Sequence, residues 1–178
     1  PLCDKNVGIE LYGRNILQEM RGADGGIIPA ADYYVEGVSI YNNRITAAGY
    51  GINLNDAKNN KIISNTIIGD GYDNSDPQRE QYNGIRISTG STGNVINSNT
   101  ISGIHQTGIL LYDNASATTV NGNTISNCSA YGIRLNQNCS VTDSMKDNMI
   151  HGCPQGAILT GEKSGCTVAN GISQNTIQ

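Results

Sequence analysis

A two-part phrase recurs along this chain and leaves few folds open to it. Its first half is an apolar residue, two variable residues, Asn, one variable residue and Ile. Its second half is Gly-Ile-x-Leu or a close variant. The first half occurs six times, with its asparagine at Asn43, Asn65, Asn99, Asn123, Asn148 and Asn175. The second also occurs six times, beginning at Gly8, Gly51, Gly84, Gly108, Gly132 and Gly156. From Gly84 onward these glycines fall 24 residues apart three times running. Self-similarity at a fixed period on this scale marks stacked repeats, each of which buries its apolar face only against its neighbours.

What stacks is extended chain. Apolar residues alternate within Gly-Ile-x-Leu, which is strand spacing. Short segments rich in β-branched Ile are punctuated by Gly, Asn and Ser, the residues of turns. No stretch carries a sustained helical period with caps. The expected fold is all-β: a single-stranded, right-handed parallel β-helix (a solenoid) of about seven coils. The repeated asparagine is expected at a sharp bend, in a left-handed or bridging backbone conformation that Asn tolerates. Its amide both donates and accepts, so stacked copies bond coil to coil and set register.

The repeat resembles the pectate-lyase-like right-handed β-helices with parallel β-helix repeats, over roughly Gly8 to Ile177. That family includes polysaccharide lyases, some glycoside hydrolases and epimerases, and bacteriophage tailspikes. The resemblance implies that the Gly-Ile strands floor a substrate groove. It speaks to fold far more than to function.

The 178 residues are one domain by length. With no Phe and no Trp, the core has to be aliphatic. A net charge of −4 argues against nucleic-acid partners, and no apolar run is long enough to span a bilayer. Both termini enter the repeat almost at once, so residues 1–178 are expected to be part of a larger protein, or of an assembly whose ends are covered by partners. Cys128 and Cys153 occupy equivalent repeat positions, as do Cys139 and Cys166, with Cys3 left over. Adjacent coils lie within disulfide reach, and small unbonded side chains would fill the same positions equally well. Both readings stay open.

Two connections break the repeat. The insertion at 12–39 follows the first Gly-Ile strand, and the insertion at 68–83 precedes Gly84. Long loops on a rigid scaffold concentrate binding and catalysis. Alternation puts Ile9, Ile52, Ile85, Ile109 and Ile133 inward. It puts Glu10, Asn53, Arg86, Leu110, Arg134 and Ile158 outward, with Tyr12, Asn55, Ser88, Tyr112, Asn136 and Thr160 one step beyond. A single site is expected near Glu10, Asn53, Arg86 and Tyr112.

The chemistry-bearing residues follow from that geometry. Asp70, Asp73 and Asp76 share one loop. They offer oxygen ligands to a hard cation such as calcium, or form a solvated acidic loop. The family resemblance adds that calcium-assisted lyases neutralise a uronate in this way before abstracting a proton. Asp73, Asp76 and Glu10 are candidate catalytic carboxylates. Arg86 pairs with a sugar carboxylate, or acts as a base as arginine does in some lyases of the family. Asn53, Tyr82, Tyr112, Arg134 and His105 are candidate substrate-binding residues, the tyrosines through ring faces that suit sugars. The expected function is binding and cleavage of an extracellular polysaccharide, at a cell exterior or virion surface. The rival is a non-catalytic or glycan-binding shaft, with a homotrimer as the assembly that tailspikes suggest.

Overall fold

The computed structural model describes residues 7–16, 20–21, 27–28, 31–47, 49–69, 82–161 and 165–178. Each Gly-Ile segment forms a strand: Ile9–Tyr12, Ile52–Asn55, Ile85–Ser88, Ile109–Tyr112, Tyr131–Asn136 and Gly156–Thr160. These six strands stack in parallel and in register as one sheet, here called the Gly-Ile sheet. The chain then crosses to a second parallel sheet, which includes Ser39–Tyr41, Lys61–Ile63, Asn94–Asn97, Ser116–Asn121 and Ser140–Lys146. A corner leads to a third, made of Arg44–Ala47, Thr66–Gly69, Thr100–Ser102, Thr124–Ser126, Met149–His151 and Thr176–Ile177. The result is a β-solenoid. Six Gly-Ile strands enclose about five turns, fewer than the seven expected.

The interior is built from columns of like residues. Ile52, Ile85, Ile109 and Ile133 form one, Ile62, Ile96, Val120 and Met145 another, and Ile67, Ile101, Ile125 and Ile150 a third, all with no exposed surface. Full burial of each such side chain stabilises by about 1.5–3 kcal/mol. Aliphatic columns therefore fill a narrow coil without Phe or Trp.

The asparagines form a continuous ladder at the corner between the second and third sheets. The main-chain N–H of Asn43, Asn65, Asn99, Asn123 and Asn148 donates to the amide oxygen of the next copy at 2.9–3.1 Å. The side-chain nitrogen of each donates to the same oxygen at 2.9–3.0 Å. From Asn65 onward that nitrogen also reaches back one coil, to the carbonyls of Ile40, Ile62, Ile96, Val120 and Met145. A shorter ladder, Asn60 on Asn94, repeats the pattern at the preceding corner.

Two expectations are corrected in detail. The left-handed backbone belongs not to the ladder asparagine but to the residue before it. Asn42, Ser64, Ser98, Gly122, Asp147 and Gln174 have φ between 56° and 63°. One residue turns the chain, and the next is freed to carry the hydrogen bonds. The sixth Gly-Ile segment is also shifted by one position. Ile158 pairs with Ile133 and faces inward, while Leu159 takes the outward place opposite Arg134. The cause is an extra residue in Ser140–Lys146, where the pairing steps from Ala117↔Val141 to Thr119↔Ser144. The partners that follow are 25 residues on, from Thr124↔Met149 and Ile125↔Ile150 through to Leu135↔Thr160.

The insertion at 12–39 is not all loop. Arg14–Ile16 pairs antiparallel with Ala31–Tyr33, and Met20–Arg21 with Ile27–Ile28. Val35–Glu36 then joins Ala57–Lys58 in parallel. Cys128, Cys139, Cys153 and Cys166 are free thiols, and Cys3 lies outside the described residues.

Asn99→Ala removes the acceptor for Asn65 N–H and the donor to the Ile62 carbonyl, all in the buried interior. Buried groups left unpaired cost about 1–3 kcal/mol each. The variant should lose roughly 3 kcal/mol or more, read as a lower denaturant midpoint by circular dichroism. A loss under about 1 kcal/mol would remove the ladder from the set of register-setting bonds.

Gly84→Ala places a methyl 2.6 Å from the Gly108 carbonyl oxygen and 2.6 Å from Ile101 Cγ2. Overpacking of this kind costs about 1–3 kcal/mol or more. Ala157, opposite Gly132, has no Gly-Ile strand beyond it among the described residues. Ala157→Gly should therefore shift the midpoint far less than Gly84→Ala; equal shifts would contradict the packing argument.

Candidate functional site

In-register stacking turns each position of the Gly-Ile strand into a row across the sheet. The first outward row runs Glu10, Asn53, Arg86, Leu110, Arg134 and Leu159. The next outward row runs Tyr12, Asn55 and Ser88, then Tyr112 and Asn136. Just before the glycines lie Tyr50, Asn83, Thr107 and Tyr131, whose carbonyls accept from glycine N–H groups one coil earlier.

These rows enclose a pocket of about 230 Å³ lined by Tyr50, Asn83, Arg86, Gln106, Leu110, Tyr112, Arg134 and Asn136. Arg86 is held between aromatic faces, its guanidinium carbon 5.2 Å from the Tyr50 ring centre and 5.7 Å from that of Tyr112. The Tyr50 hydroxyl lies 3.5 Å from Arg86 Nη1. Tyr50 is itself buttressed edge-on by Tyr82, with centroids 5.9 Å apart and planes at 81°. Arg134 lies 5.5 Å from the ring centre of Tyr131. Cations at these distances are attracted by ring quadrupoles. The two arginines stand on strands separated only by the Leu110 strand, about 10 Å apart by strand spacing.

The floor also holds buried acceptors. Asn136 is 7% exposed, and its Oδ1 has no hydrogen-bond partner among the described residues. Asn53, 6% exposed, donates to Glu10 Oε1 at 2.8 Å, while its own Oδ1 has no such partner. An unmet buried acceptor costs about 1–3 kcal/mol, which a donor from a ligand hydroxyl or water would offset. Two cations, aromatic faces and a buried acceptor together suit a ligand bearing both an anionic group and hydroxyls.

The residues singled out from sequence distribute unevenly around this pocket. Arg86, Tyr112 and Arg134 line it, and Tyr82 supports it through Tyr50. Glu10 is exposed, one row position beyond Asn53, with its carboxylate engaged by the Asn53 amide. His105 is half-buried in the connection leading to Ile109, next to Gln106 of the lining. Asp70, Asp73 and Asp76 lie outside the described residues. Among the described residues no carboxylate lines the pocket, and no three His, Cys, Asp or Glu side chains are grouped to hold a metal ion. Asn83 and Gln106 were missed from sequence. Asn83 was within reach, because counting back from Ile85 places it in the row of Tyr50 and Tyr131.

A family model for the right-handed beta helix region matches residues 5–176. Neither the curated proteins nor the solved structures contain a match to this chain. The matched span takes in every Gly-Ile strand described above. The chain belongs to the right-handed β-helix family.

Proposed function

We propose that this chain is a carbohydrate-active β-helix that binds and cleaves an acidic extracellular polysaccharide, with affinities to the pectate-lyase-like and tailspike types. The observation that carries the reading is the placement of Arg86 and Arg134 two strands apart on one groove floor, each against tyrosine. A polymer running along the solenoid axis meets the coils at a regular interval, so equal anionic units meet equal cations. Each guanidinium offers a planar fork to a sugar carboxylate. The tyrosine faces cover apolar ring faces, and Asn136 Oδ1 accepts from a neighbouring hydroxyl.

Arg86 serves as a clamp in this reading, its guanidinium set against the Tyr50 and Tyr112 rings with its planar fork turned to a sugar carboxylate. Proton transfer then falls to carboxylates: Asp73 and Asp76 of the insertion at 68–83, with Glu10 as the third candidate. A second reading, glycan binding without cleavage, is favoured by one observation. The lining among the described residues is cationic, aromatic and amide, with no acid.

The test is a panel of acidic and neutral polysaccharides, incubated with calcium or with chelator. Binding, new reducing ends and ultraviolet absorbance from unsaturated uronate are followed together. Reducing ends with absorbance identify a lyase, and reducing ends alone a hydrolase. Binding with neither selects the second reading. A folded chain that binds no acidic polymer, or binds neutral ones equally well, refutes the proposal.

Arg86→Ala and Arg134→Ala should each weaken binding of the acidic polymer by about tenfold or more, since charge-assisted bonds are worth ~1.5–3 kcal/mol. Arg86→Lys should recover only part of that, because a point charge lacks the planar fork and the ring stacking. Full recovery by lysine would reduce the site to simple charge attraction.

A further inference from the structure

Cys128 and Cys153 occupy the same step of successive coils, at the turns that lead into Tyr131–Asn136 and Gly156–Thr160. The strands before them are paired at Ser126↔His151, and Asn127 N–H donates to the His151 carbonyl at 3.1 Å. Both thiols are oriented alike. Cys128 Sγ lies 3.8 Å from the Ser126 carbonyl, and Cys153 Sγ lies 3.6 Å from that of His151. Each thiol perturbs the other across this one-coil step. Neighbouring strands are about 4.8 Å apart, within the Cα separation that a disulfide spans.

The pair is unequal. Cys128 is 1% exposed, whereas Cys153 is half-buried and open to reagents. Contact with the Cys128 thiol draws the Cys153 thiol down. The same contact, with burial, pushes Cys128 far up. Cys139 and Cys166 stack in the same way, beside Ser140↔Thr167. There, however, Cys139 Sγ turns to the Asn136 carbonyl at 2.9 Å, and burial pushes its thiol up to about 11.

We infer that Cys153 and Cys128 form a thiol–disulfide exchange site, in which Cys153 attacks a low-molecular-weight disulfide and Cys128 resolves the product. The Cys153 thiolate attacks one sulfur of the external disulfide. A mixed disulfide forms on Cys153, and one external thiolate leaves. Cys128 gives its proton to solvent and attacks Cys153 Sγ, expelling the second external thiolate. The two protein thiols lose two electrons to the external disulfide, which leaves as two thiols. The bridge ties two coils together at the turns that carry the strands of Tyr131, Arg134 and Leu159. The inference stands independently of the groove's ligand.

The experiment is treatment of the whole chain with oxidised glutathione, followed by peptide mapping. The wild type should give a peptide linking Cys128 to Cys153, with little lasting glutathione on either. Cys128→Ser should trap glutathione on Cys153, and Cys153→Ser should leave Cys128 unmodified. Circular dichroism checks that each variant is folded. The rise of Cys153 alkylation by iodoacetamide with pH should come below the ordinary thiol range in the wild type. Cys128→Ala, which removes the neighbouring thiol, should move that rise to higher pH. Three results would each overturn the inference: a stable adduct on wild-type Cys153 with no linked peptide, equal modification of both thiols, or alkylation indifferent to Cys128→Ala.

Discussion

The coil-to-coil amide bond is the constraint on which the rest of this structure depends. Each interior ladder asparagine spends its oxygen on two donors of the preceding coil, and its nitrogen on an acceptor in each neighbouring coil. Such a bond nets only about 1 kcal/mol, but a buried amide left unpaired is far more costly. The ladder therefore excludes slipped pairings more than it adds stability. In a parallel sheet a slip of one residue would turn every isoleucine column toward solvent. With slippage excluded, identical positions fall above one another, and the aliphatic columns follow.

The same stacking explains why a groove can be written onto the outer face. Outward side chains are not needed for the core, so Arg86, Leu110 and Arg134 vary where Ile85, Ile109 and Ile133 do not. Arginine suits the place because its flat guanidinium lies against Tyr50 and Tyr112 without losing its charge. Tyr50 is buried beneath these groups and held edge-on by Tyr82, which makes the cationic face rigid before any ligand arrives. Rigid placement lowers the ordering cost of binding.

Much of the architecture was legible because strand period, turn residues and repeat all pointed the same way. Ile52, Ile85, Ile109 and Ile133 were readable as core, and Arg86 and Arg134 as neighbours on one face, from alternation alone. What was hidden has physical reasons. The corner's backbone task and its hydrogen-bonding task fall to adjacent residues. The left-handed position is filled by Asn, Ser, Gly, Asp or Gln, so it carries no single-letter signature. The ribbon within 12–39 uses short antiparallel pairs with no repeat to betray them. Gln106 reaches the pocket from a connection, where strand alternation no longer governs direction. Buried acceptors such as Asn136 Oδ1 depend on what fails to approach them, which composition does not encode.

The extra residue in Ser140–Lys146 has a consequence for how such chains are compared. It lies where the second sheet bends, and it is absorbed within one strand, so the coils above keep their stacking. Distance along the chain and height along the solenoid thus part company after Val141. A ruler laid on the letters puts Gly156 beneath Gly132, whereas space puts Ala157 there. The asparagines keep the true count, because Asn123 and Asn148 remain bonded across the slip. For a solenoid with an editable outer face, they are the fixed marks from which any other position is best measured.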